Sequence, residues 1–249
     1  MLEIKELTKT YKGSKNPAVK NISLSLKPGE IFGFLGLNGA GKSTTFKCAT
    51  GIQTFDQGTI TINGFDMIKE PINAKKSLGY IPDNHATFEE LTGREYIYFM
   101  ADVYNVSKEL RDSRIEFFSD MFSMTEALDV LIKAYSHGMK QKIAIMGGII
   151  HYPKLWILDE PLVGLDPFSM DEIKAFMINY AKMGNTIIFS SHILPIVKEL
   201  CNRVAIIDQG EIKGLFETKE EIDNIHNHFK DIVKKWYLFF LKITLRETD

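Results

Sequence analysis

The amino-acid sequence predicts an α/β fold with a mostly parallel sheet, an N-terminal antiparallel β subdomain and an inserted helical subdomain at about residues 83–150. Short apolar segments separated by helix patterns in the second half of the chain indicate parallel strands that are covered on both faces. Alternating apolar and polar residues near the N-terminus indicate half-buried strands. Between these regions aromatic residues recur at helical spacing, which indicates helices inserted into the α/β domain.

The first strands are recognised by a period of two. Residues 22–26 alternate apolar side chains with serines, and Pro28-Gly29 then predicts a turn. Residues 59–62 alternate Thr with Ile and end at Asn63-Gly64, which is a turn signal. Residues 30–35 are expected to form a short apolar strand that leads into a glycine-rich loop.

Helical spacing dominates the middle of the chain, and strands return after it. The residues at helical spacing are Tyr96, Phe99, Met100, Tyr104, Ile115, Phe118 and Phe122. Residues 155–158, 186–189 and 204–207 are short apolar segments, as expected of buried strands. A helix is predicted over residues 167–183, because a proline stands at its start and a glycine follows its end.

The composition excludes several classes of protein. The chain of 249 residues can bury a substantial core, and its formal net charge of −2 provides no overall positive field for nucleic acid. Cys48 and Cys201 stand far apart, so we expect two reduced core residues rather than a disulfide or a zinc site. The N-terminus lacks the pattern of a signal peptide. The longest apolar segments, 143–150 and 236–241, are shorter than the roughly 18–20 residues that span a bilayer, so a transport role would require a membrane partner.

A glycine-rich loop at residues 36–44 fits the P-loop pattern G-x-x-x-x-G-K-[ST]. It lies between a predicted strand and a predicted helix, which is the arrangement of a P-loop NTPase core. The glycines let several N–H groups point at one anion, Lys42 can reach the β- and γ-phosphates, and the Ser43 hydroxyl can bind Mg²⁺. The predicted nucleotide-binding residues of this loop are Gly36, Asn38, Gly39, Ala40, Gly41, Lys42, Ser43 and Thr44.

Two acidic residues follow the apolar strand at 155–158. Because unpaired buried charge is expensive, Asp159 and Glu160 indicate chemistry rather than stability. Asp159 is suited to hold Mg²⁺ through water, and Glu160 is suited to polarise an attacking water as general base. His192, just past the next buried strand, is placed to reach the γ-phosphate. The predicted catalytic residues are therefore Glu160, His192 and Lys42.

Residues 135–141, Tyr-Ser-His-Gly-Met-Lys-Gln, resemble the signature loop of the ATP-binding-cassette (ABC) ATPases, whose usual form is L-S-G-G-Q. Tyr, His and Met replace three residues of that form, whereas Ser136 and Gly138 remain. With the P-loop, the acidic pair and the strand-end histidine in the same order, the resemblance covers about residues 1–215. It implies that the nucleotide is ATP and that Mg²⁺ accompanies it.

In this family two ATPase domains pair head to tail around two ATP molecules, so the resemblance implies a second ATPase subunit, either another copy or a sister chain. Ser136 and Gly138 would then contact the ATP of the other subunit from a helix N-terminus suited to an anion. Leu165-Asp166 would form the D-loop, which communicates across the interface. Tyr11 would stack on adenine; the alternative is a surface aromatic residue on an early strand.

One position departs from the family pattern. The Q-loop should follow residues 79–82, but Asp83-Asn84 stands where the usual Gln is expected. As an oxygen donor, Asp83 is still predicted to contact Mg²⁺ or its water. The predicted metal-site residues are therefore Ser43, Asp159 and Asp83.

The resemblance further implies a single ABC ATPase domain over residues 1–249 that drives a separate membrane-spanning permease from the cytoplasmic face of the membrane. Residues 88–95 and the modified signature loop resemble bacterial exporters of the bacitracin, lantibiotic and multidrug type, so export is favoured over import. Alternatives are a DNA-repair or ribosome-acting ATPase and a soluble ATPase of cluster assembly. The first two fit poorly, because the chain has one P-loop and no sustained heptad pattern.

The resemblance fades beyond residue 215, so residues 216–249 are predicted to be an atypical tail. Its segment 236–241, Trp-Tyr-Leu-Phe-Phe-Leu, is strongly apolar. Three interpretations stay open for this segment: an element packed on its own domain, an exposed contact with a membrane partner, or an altered terminus.

Overall fold

Two β-sheets organise this computed structural model, which describes residues 1–83 and 88–232. In chain order the strands are β1 (Leu2–Lys9), β2 (Val19–Leu26), β3 (Ile31–Leu35), β4 (Gln57–Ile62), β5 (Phe65–Asp66), β6 (Leu78–Ile81), β7 (Leu155–Leu158), β8 (Thr186–Ser191), β9 (Arg203–Asp208) and β10 (Glu211–Phe216). The helices are α1 (Lys42–Ala49), α2 (Pro71–Lys76), α3 (Gly93–Val103), α4 (Lys108–Met121), α5 (His137–Ile149), α6 (Pro167–Lys182), α7 (Leu194–Leu200) and α8 (Lys219–Asp223).

The strand order confirms the predicted fold class. The larger sheet has the order β10-β9-β3-β8-β7-β6, in which β10 pairs antiparallel with β9 and the other pairs are parallel. The smaller sheet has the order β2-β1-β4-β5 and is antiparallel. One apolar cluster lies between β1, β2, β4 and one face of the larger sheet, and a second lies on its other face against α3 to α6.

Local sequence signals explain where several elements begin and end. Asn63 and Gly64 both have positive φ, at 51° and 88°, which a tight hairpin turn between β4 and β5 requires. Helix α6 begins after Asp166, whose carboxylate accepts from the Ser169 amide at 3.0 Å. It ends before Gly184, whose φ of 87° stops the helix.

Helices α3, α4 and α5 and two 3₁₀ turns follow one another between β6 and β7. Each helix has a side-chain N-cap: Thr92 for α3, Ser107 for α4 and Ser136 for α5. Beyond β10, Ile222 and Ile225 are fully buried, and residues 226–232 are helical. The apolar segment 236–241 and Asn84 lie outside the described residues.

The parallel strands place the predicted functional residues at one edge. Leu35 at the end of β3 pairs with Ser191 of β8, and Leu158 at the end of β7 pairs with Phe189 of β8. Carboxyl ends of parallel strands form a crevice in which open α/β sheets bind ligands. The residues that follow Leu35, Leu158 and Ser191 therefore meet there.

Candidate nucleotide-binding and hydrolysis site

The P-loop joins β3 to the N-terminus of α1. Gly39 and Gly41 have φ values of 80° and 109°, a backbone region that side chains other than glycine rarely adopt. Gly41 is the N-cap of α1, so the positive end of that helix opens into the loop. The Gly210 amide donates to the Ala40 carbonyl at 2.9 Å and holds the loop against the β9–β10 turn.

Gly36 is required for a different reason than Gly39 and Gly41. We expected all three to provide unusual backbone conformations, but Gly36 is absent from the residues with positive φ. A Cβ atom at Gly36 would instead lie 2.5 Å from the Ile207 carbonyl oxygen, well inside van der Waals contact. The loop therefore packs directly on β9, because this position carries no side chain.

Lys42 is buried at the centre of the site, with 5% of its surface exposed. Its Nζ donates to the carbonyl oxygens of Gly36 at 2.8 Å and Leu37 at 3.1 Å. The same ammonium lies 3.1 Å from Glu160 Oε1. That oxygen accepts no hydrogen bond from the described residues, so the contact is an ion pair. Lys42 thus links the P-loop to Glu160, the second of the two acidic residues that follow β7.

Asp159 and Glu160 are both held by Ser190, a residue whose role the sequence did not reveal. The Ser190 hydroxyl donates to Asp159 Oδ1 at 2.6 Å and accepts from the Glu160 amide at 2.9 Å. Asp159 is 1% exposed, so this hydrogen bond offsets part of the cost of burying its charge. The only sequence signal for Ser190 was its position immediately before Ser191 and the predicted catalytic residue His192.

Glu160 faces a cation on one side and a histidine on the other. Its Oε2 lies 3.1 Å from His192 Nδ1, and its side chain is 9% exposed. Because a carboxylate oxygen only accepts, Nδ1 is the ring nitrogen that carries hydrogen. Glu160 has a φ of 50°, an uncommon backbone conformation that is a recurrent feature of functional sites.

A cleft of about 280 Å³ lies over these residues. Its lining consists of Ala18, Asn38, Gly39, Gly41, Lys42, Ser43, Thr44, Asp83 and Glu160. Asp83 therefore lies beside the P-loop, and its contact with Mg²⁺ stays a prediction. The Ser43 hydroxyl and the carboxylates of Asp83 and Asp159 are oxygen ligands, which Mg²⁺ prefers when phosphates supply its other ligands. Within residues 1–83 and 88–232, no group of three or more His, Cys, Asp or Glu side chains could hold a metal unaided.

Tyr80 of β6 is a second residue that sequence reasoning missed. Its hydroxyl is buried and has no hydrogen-bond partner in the described part of the chain. Burial, and then the negative charges of Asp159 and Asp83, raise the pKa of Tyr80 well above its ordinary value. The phenol therefore stays neutral and keeps a hydrogen to donate beside the predicted metal-site carboxylates.

Tyr11 follows β1 and lies at the rim of the site. Tyr11 is 39% exposed as a residue, and its hydroxyl lies 3.3 Å from Thr44 Oγ1 of the P-loop helix. The Lys9 ammonium lies 5.6 Å from the ring centroid. A partly exposed aromatic residue therefore lies next to the P-loop, and its contact with a base stays a prediction.

Ser136 and Gly138 lie away from this cleft. Ser136 is exposed and caps α5, accepting from the Met139 amide at 3.2 Å. Gly138 faces the start of α6, where a Cβ would lie 3.5 Å from Asp166 Oδ2. The Ser169 hydroxyl donates to Asp166 and keeps the pKa of that carboxyl below its ordinary value. Neither residue lines the cleft that contains Lys42.

Comparison with known proteins decides the family. The family model described as ABC transporter matches residues 19–163, which include the P-loop, residues 135–141 and both acidic residues. This chain belongs to the ABC transporter family. It is an ABC ATPase domain, which binds and hydrolyses ATP.

Relatives of this ABC ATPase domain agree with that assignment. The linearmycin resistance ATP-binding protein LnrL of Bacillus subtilis (strain 168) is 39% identical over 212 residues, which are 85% of this chain and 68% of LnrL. The ABC-type transporter ATP-binding protein EcsA of the same organism is 35% identical over 224 residues, 89% of this chain and 90% of EcsA. A solved ATP-binding subunit of an ABC transporter superposes with a TM-score of 0.83 and 29% identity, covering 96% of this chain and 98% of that structure.

In residues 1–83 and 88–232, no helix combines the length and the apolar character needed to cross a bilayer.

Proposed function

We propose that this chain is the ATP-hydrolysing subunit of a membrane transporter, and that Mg²⁺ and ATP bind in the cleft beside the P-loop. The observation that carries the proposal is the convergence of three side chains: Lys42 and His192 each lie 3.1 Å from a carboxylate oxygen of Glu160. They come from three separate strand ends. Such a cluster beside a glycine loop and a helix N-terminus suits phosphate chemistry.

Phosphate binding falls to the P-loop. The backbone at Gly39 and Gly41, together with the N-terminus of α1, presents N–H groups and positive potential to the phosphates. Lys42 exchanges its contacts with the Gly36 and Leu37 carbonyls for the β- and γ-phosphates. Binding therefore replaces two neutral partners of the lysine with anionic oxygens.

Hydrolysis falls to Glu160 as general base. Glu160 accepts a proton from water while the water oxygen attacks the γ-phosphorus, and the bond to the β-phosphate oxygen breaks to release ADP and phosphate. His192 holds Glu160 Oε2 through Nδ1–H. To bind the γ-phosphate as well, its other ring nitrogen would also have to carry a hydrogen, because a phosphate oxygen only accepts. Ser190 fixes the backbone of Glu160 and the carboxylate of Asp159 from below.

Ser43, Asp159 and Asp83 would hold the Mg²⁺. The donor set fits this ion, because it offers one hydroxyl and two carboxylates rather than a complete cage. Once bound, the ion would neutralise negative charge on the phosphates. Ser190 binds one oxygen of Asp159, Oδ1, so the other oxygen would remain available to help hold the ion.

A second ATPase subunit completes the site in this proposal. Ser136 is exposed at the N-terminus of α5, and neither it nor Gly138 lines the cleft of its own chain. The partner subunit's ATP would be the anion at that helix end. A D-loop at Leu165-Asp166, which adjoins Gly138, would lie on the same interface.

The permease would bind near the start of the helical region. Phe88, Phe99 and Val103 are 55%, 45% and 55% exposed, and the rings of Phe88 and Phe99 meet edge to face at 5.2 Å. Exposed aromatic and aliphatic side chains grouped in this way mark a surface for a protein partner. Detergent extraction should therefore recover a multi-span protein with this chain, whereas a cluster-assembly ATPase would be recovered without one.

Export is the direction that we favour. The relative LnrL is a linearmycin resistance protein, and the modified signature loop resembles bacterial exporters. The chain would then act at the cytoplasmic face of the membrane, attached through its permease. Transport of a labelled compound into inside-out vesicles that contain both subunits measures this direction directly.

Replacing Glu160 by Gln tests the site. Glu160→Gln keeps shape but cannot take the proton, so we expect turnover to fall by about 10²–10⁴ while Mg²⁺-dependent binding of a fluorescent ATP analogue persists. Lys42→Ala should lose binding itself. Lys47→Ala is the matched control, because Lys47 is an exposed lysine of the same helix. Normal steady-state hydrolysis by the Glu160 variant would remove that residue from its proposed role.

A further inference from the structure

Two side chains of helix α5 form hydrogen bonds with the turn at residues 161–164, which directly follows Glu160. Gln141 Nε2 donates to the Pro161 carbonyl at 2.9 Å, and His137 Nε2 lies 3.3 Å from the Val163 carbonyl. Since a carbonyl oxygen only accepts, His137 carries hydrogen on Nε2. His137 and Gln141 are four residues apart on α5, so they lie on one face and reach the turn together.

The fit between α5 and the 161–164 turn is close at both points. Gln141 is 1% exposed, so its hydrogen bond is made in the protein interior. Gly164 has a φ of 73°, and a Cβ atom there would lie 3.1 Å from His137 Nε2. A glycine at 164 thus provides both the turn and the space for the His137 ring.

The same turn fixes the backbone of Glu160. The Val163 amide donates to the Glu160 carbonyl at 3.3 Å, and the Glu160 amide donates to Ser190 at 2.9 Å. Glu160 keeps a φ of 50°, which costs free energy for a residue with a side chain. Such a conformation persists only where the surroundings hold it from several sides. The two side chains of α5 and Ser190 provide that restraint.

We propose that His137 and Gln141 are positioning residues for Glu160: by holding the 161–164 turn, they keep the Glu160 carboxylate between Lys42 and His192. This inference rests on the proposed function, in which Glu160 is the general base. It also ties the base to α5, so a displacement of that helix moves the turn and then the carboxylate. His137 stands where the resemblance expects a glycine, so the chain has a hydrogen bond there that glycine could not make.

The test compares His137→Gly with His137→Gln in purified full-length chain. Loss of the imidazole should lower kcat for ATP about tenfold and leave KM, and the Kd of a fluorescent ATP analogue, within about twofold of wild type. The Gln amide carries an N–H of similar reach and should restore at least half of kcat. Lys133→Ala is the control, because its ammonium pairs with Glu90 rather than with the turn.

Hydrogen exchange supplies a readout that does not depend on turnover. Amides in the peptide that covers residues 160–169 should exchange about tenfold faster in His137→Gly, and at the wild-type rate in Lys133→Ala. Wild-type kcat together with unchanged exchange in His137→Gly would overturn the proposal, as would failure of Gln to restore kcat. If wild-type chain showed no ATPase activity while exchange still accelerated, the proposed function would fail but the restraint on the turn would stand.

Discussion

At the scale of single residues, Tyr11 offers the simplest test of nucleotide contact. Its exposed ring lies at the rim, 3.3 Å from Thr44 through the hydroxyl. Stacking of a base on an aromatic ring contributes about 1–3 kcal/mol by alanine substitution. We therefore expect Tyr11→Ala to raise the Kd for ATP by about 5- to 150-fold, measured by calorimetry in the Glu160→Gln background to prevent turnover.

The matched control for Tyr11 separates the ring from its hydroxyl. Tyr11→Phe keeps the stacking face and loses only the contact with Thr44, so its Kd should stay within about threefold of the background. Inorganic triphosphate has no base, so its affinity should be the same in all three proteins. Equal weakening of ATP and triphosphate by Tyr11→Ala would contradict base stacking and leave Tyr11 as a surface residue.

Residue types with a distinctive pattern could be predicted from the sequence, and their supporting residues could not. Lys42, Asp159 and Glu160 stand in recognisable motifs, and the structure places all three at the cleft or directly beside it. Ser190 and Tyr80 carry no motif. Their position depends on which strands are neighbours, because Ser190 reaches Asp159 across the β7–β8 pair and Tyr80 lies on β6 beside it. The amino-acid sequence does not show which strands are neighbours in the sheet.

At the scale of elements, His151 joins the end of α3 to the edge strand β6. Its ring stacks on Tyr104 with centroids 3.5 Å apart, and its Nε2 lies 3.1 Å from the Leu78 carbonyl. Its Nδ1 is buried without a hydrogen-bond partner among the described residues. Burial lowers the pKa of His151 from its ordinary 6.5 to about 4; the hydrogen bond to Leu78 opposes this shift, and the charge of Arg114 adds to it.

This lowered pKa predicts a loss of stability in acid. The unfolded chain binds the proton near pH 6.5 and the folded chain only near pH 4, so unfolding becomes easier as pH falls between these values. The contribution is up to about 3 kcal/mol, from 1.36 kcal/mol per pKa unit. His151→Phe keeps the stack on Tyr104 and cannot titrate. Its urea-unfolding free energy should therefore fall less between pH 6.5 and 4 than that of wild type, and parallel curves would contradict the assignment.

Strong local patterns determined which elements could be predicted. The strand at 155–158 was predicted with the bounds of β7, since four apolar residues there are flanked by polar ones. Strand β1 escaped prediction, because its alternation breaks at Glu6, which has a φ of 52°. Strand β6 also escaped, because it is four residues long and includes Gly79. Gly79 is required there, as a Cβ would lie 2.4 Å from the Gly148 carbonyl oxygen of α5.

At the scale of the whole molecule, the cleft and the exposed N-terminal end of α5 are two separate places on the chain. The cleft contains Lys42 and Glu160, whereas the exposed end of α5 at Ser136 is not part of its lining. The alternation of strands and helices predicted the parallel sheet, but it did not predict the order β10-β9-β3-β8-β7-β6. The sequence also gives no geometry for a second chain, since that depends on which surfaces stay exposed after folding.

A charge at Ser136 tests whether a second copy supplies the missing contact. Asp is as good a helix N-cap as Ser, so Ser136→Asp should leave α5 intact and place a negative charge where the proposal expects the partner's ATP. In the Glu160→Gln background, Mg²⁺ and ATP should convert the single variant to a dimer in sedimentation velocity. The Ser136→Asp double variant should remain monomeric with an unchanged Tm.

Ser107→Asp is the matched control for this charge. Ser107 caps α4 in the same helical region and accepts from the Leu110 amide, as Ser136 does from Met139. Ser107→Asp adds the same charge to the same kind of cap, at a helix end that the proposal does not place on ATP. It should therefore dimerise with ATP like its background. If both aspartates blocked dimerisation, the added net charge would be the cause; if neither did, Ser136 would not face nucleotide in the dimer.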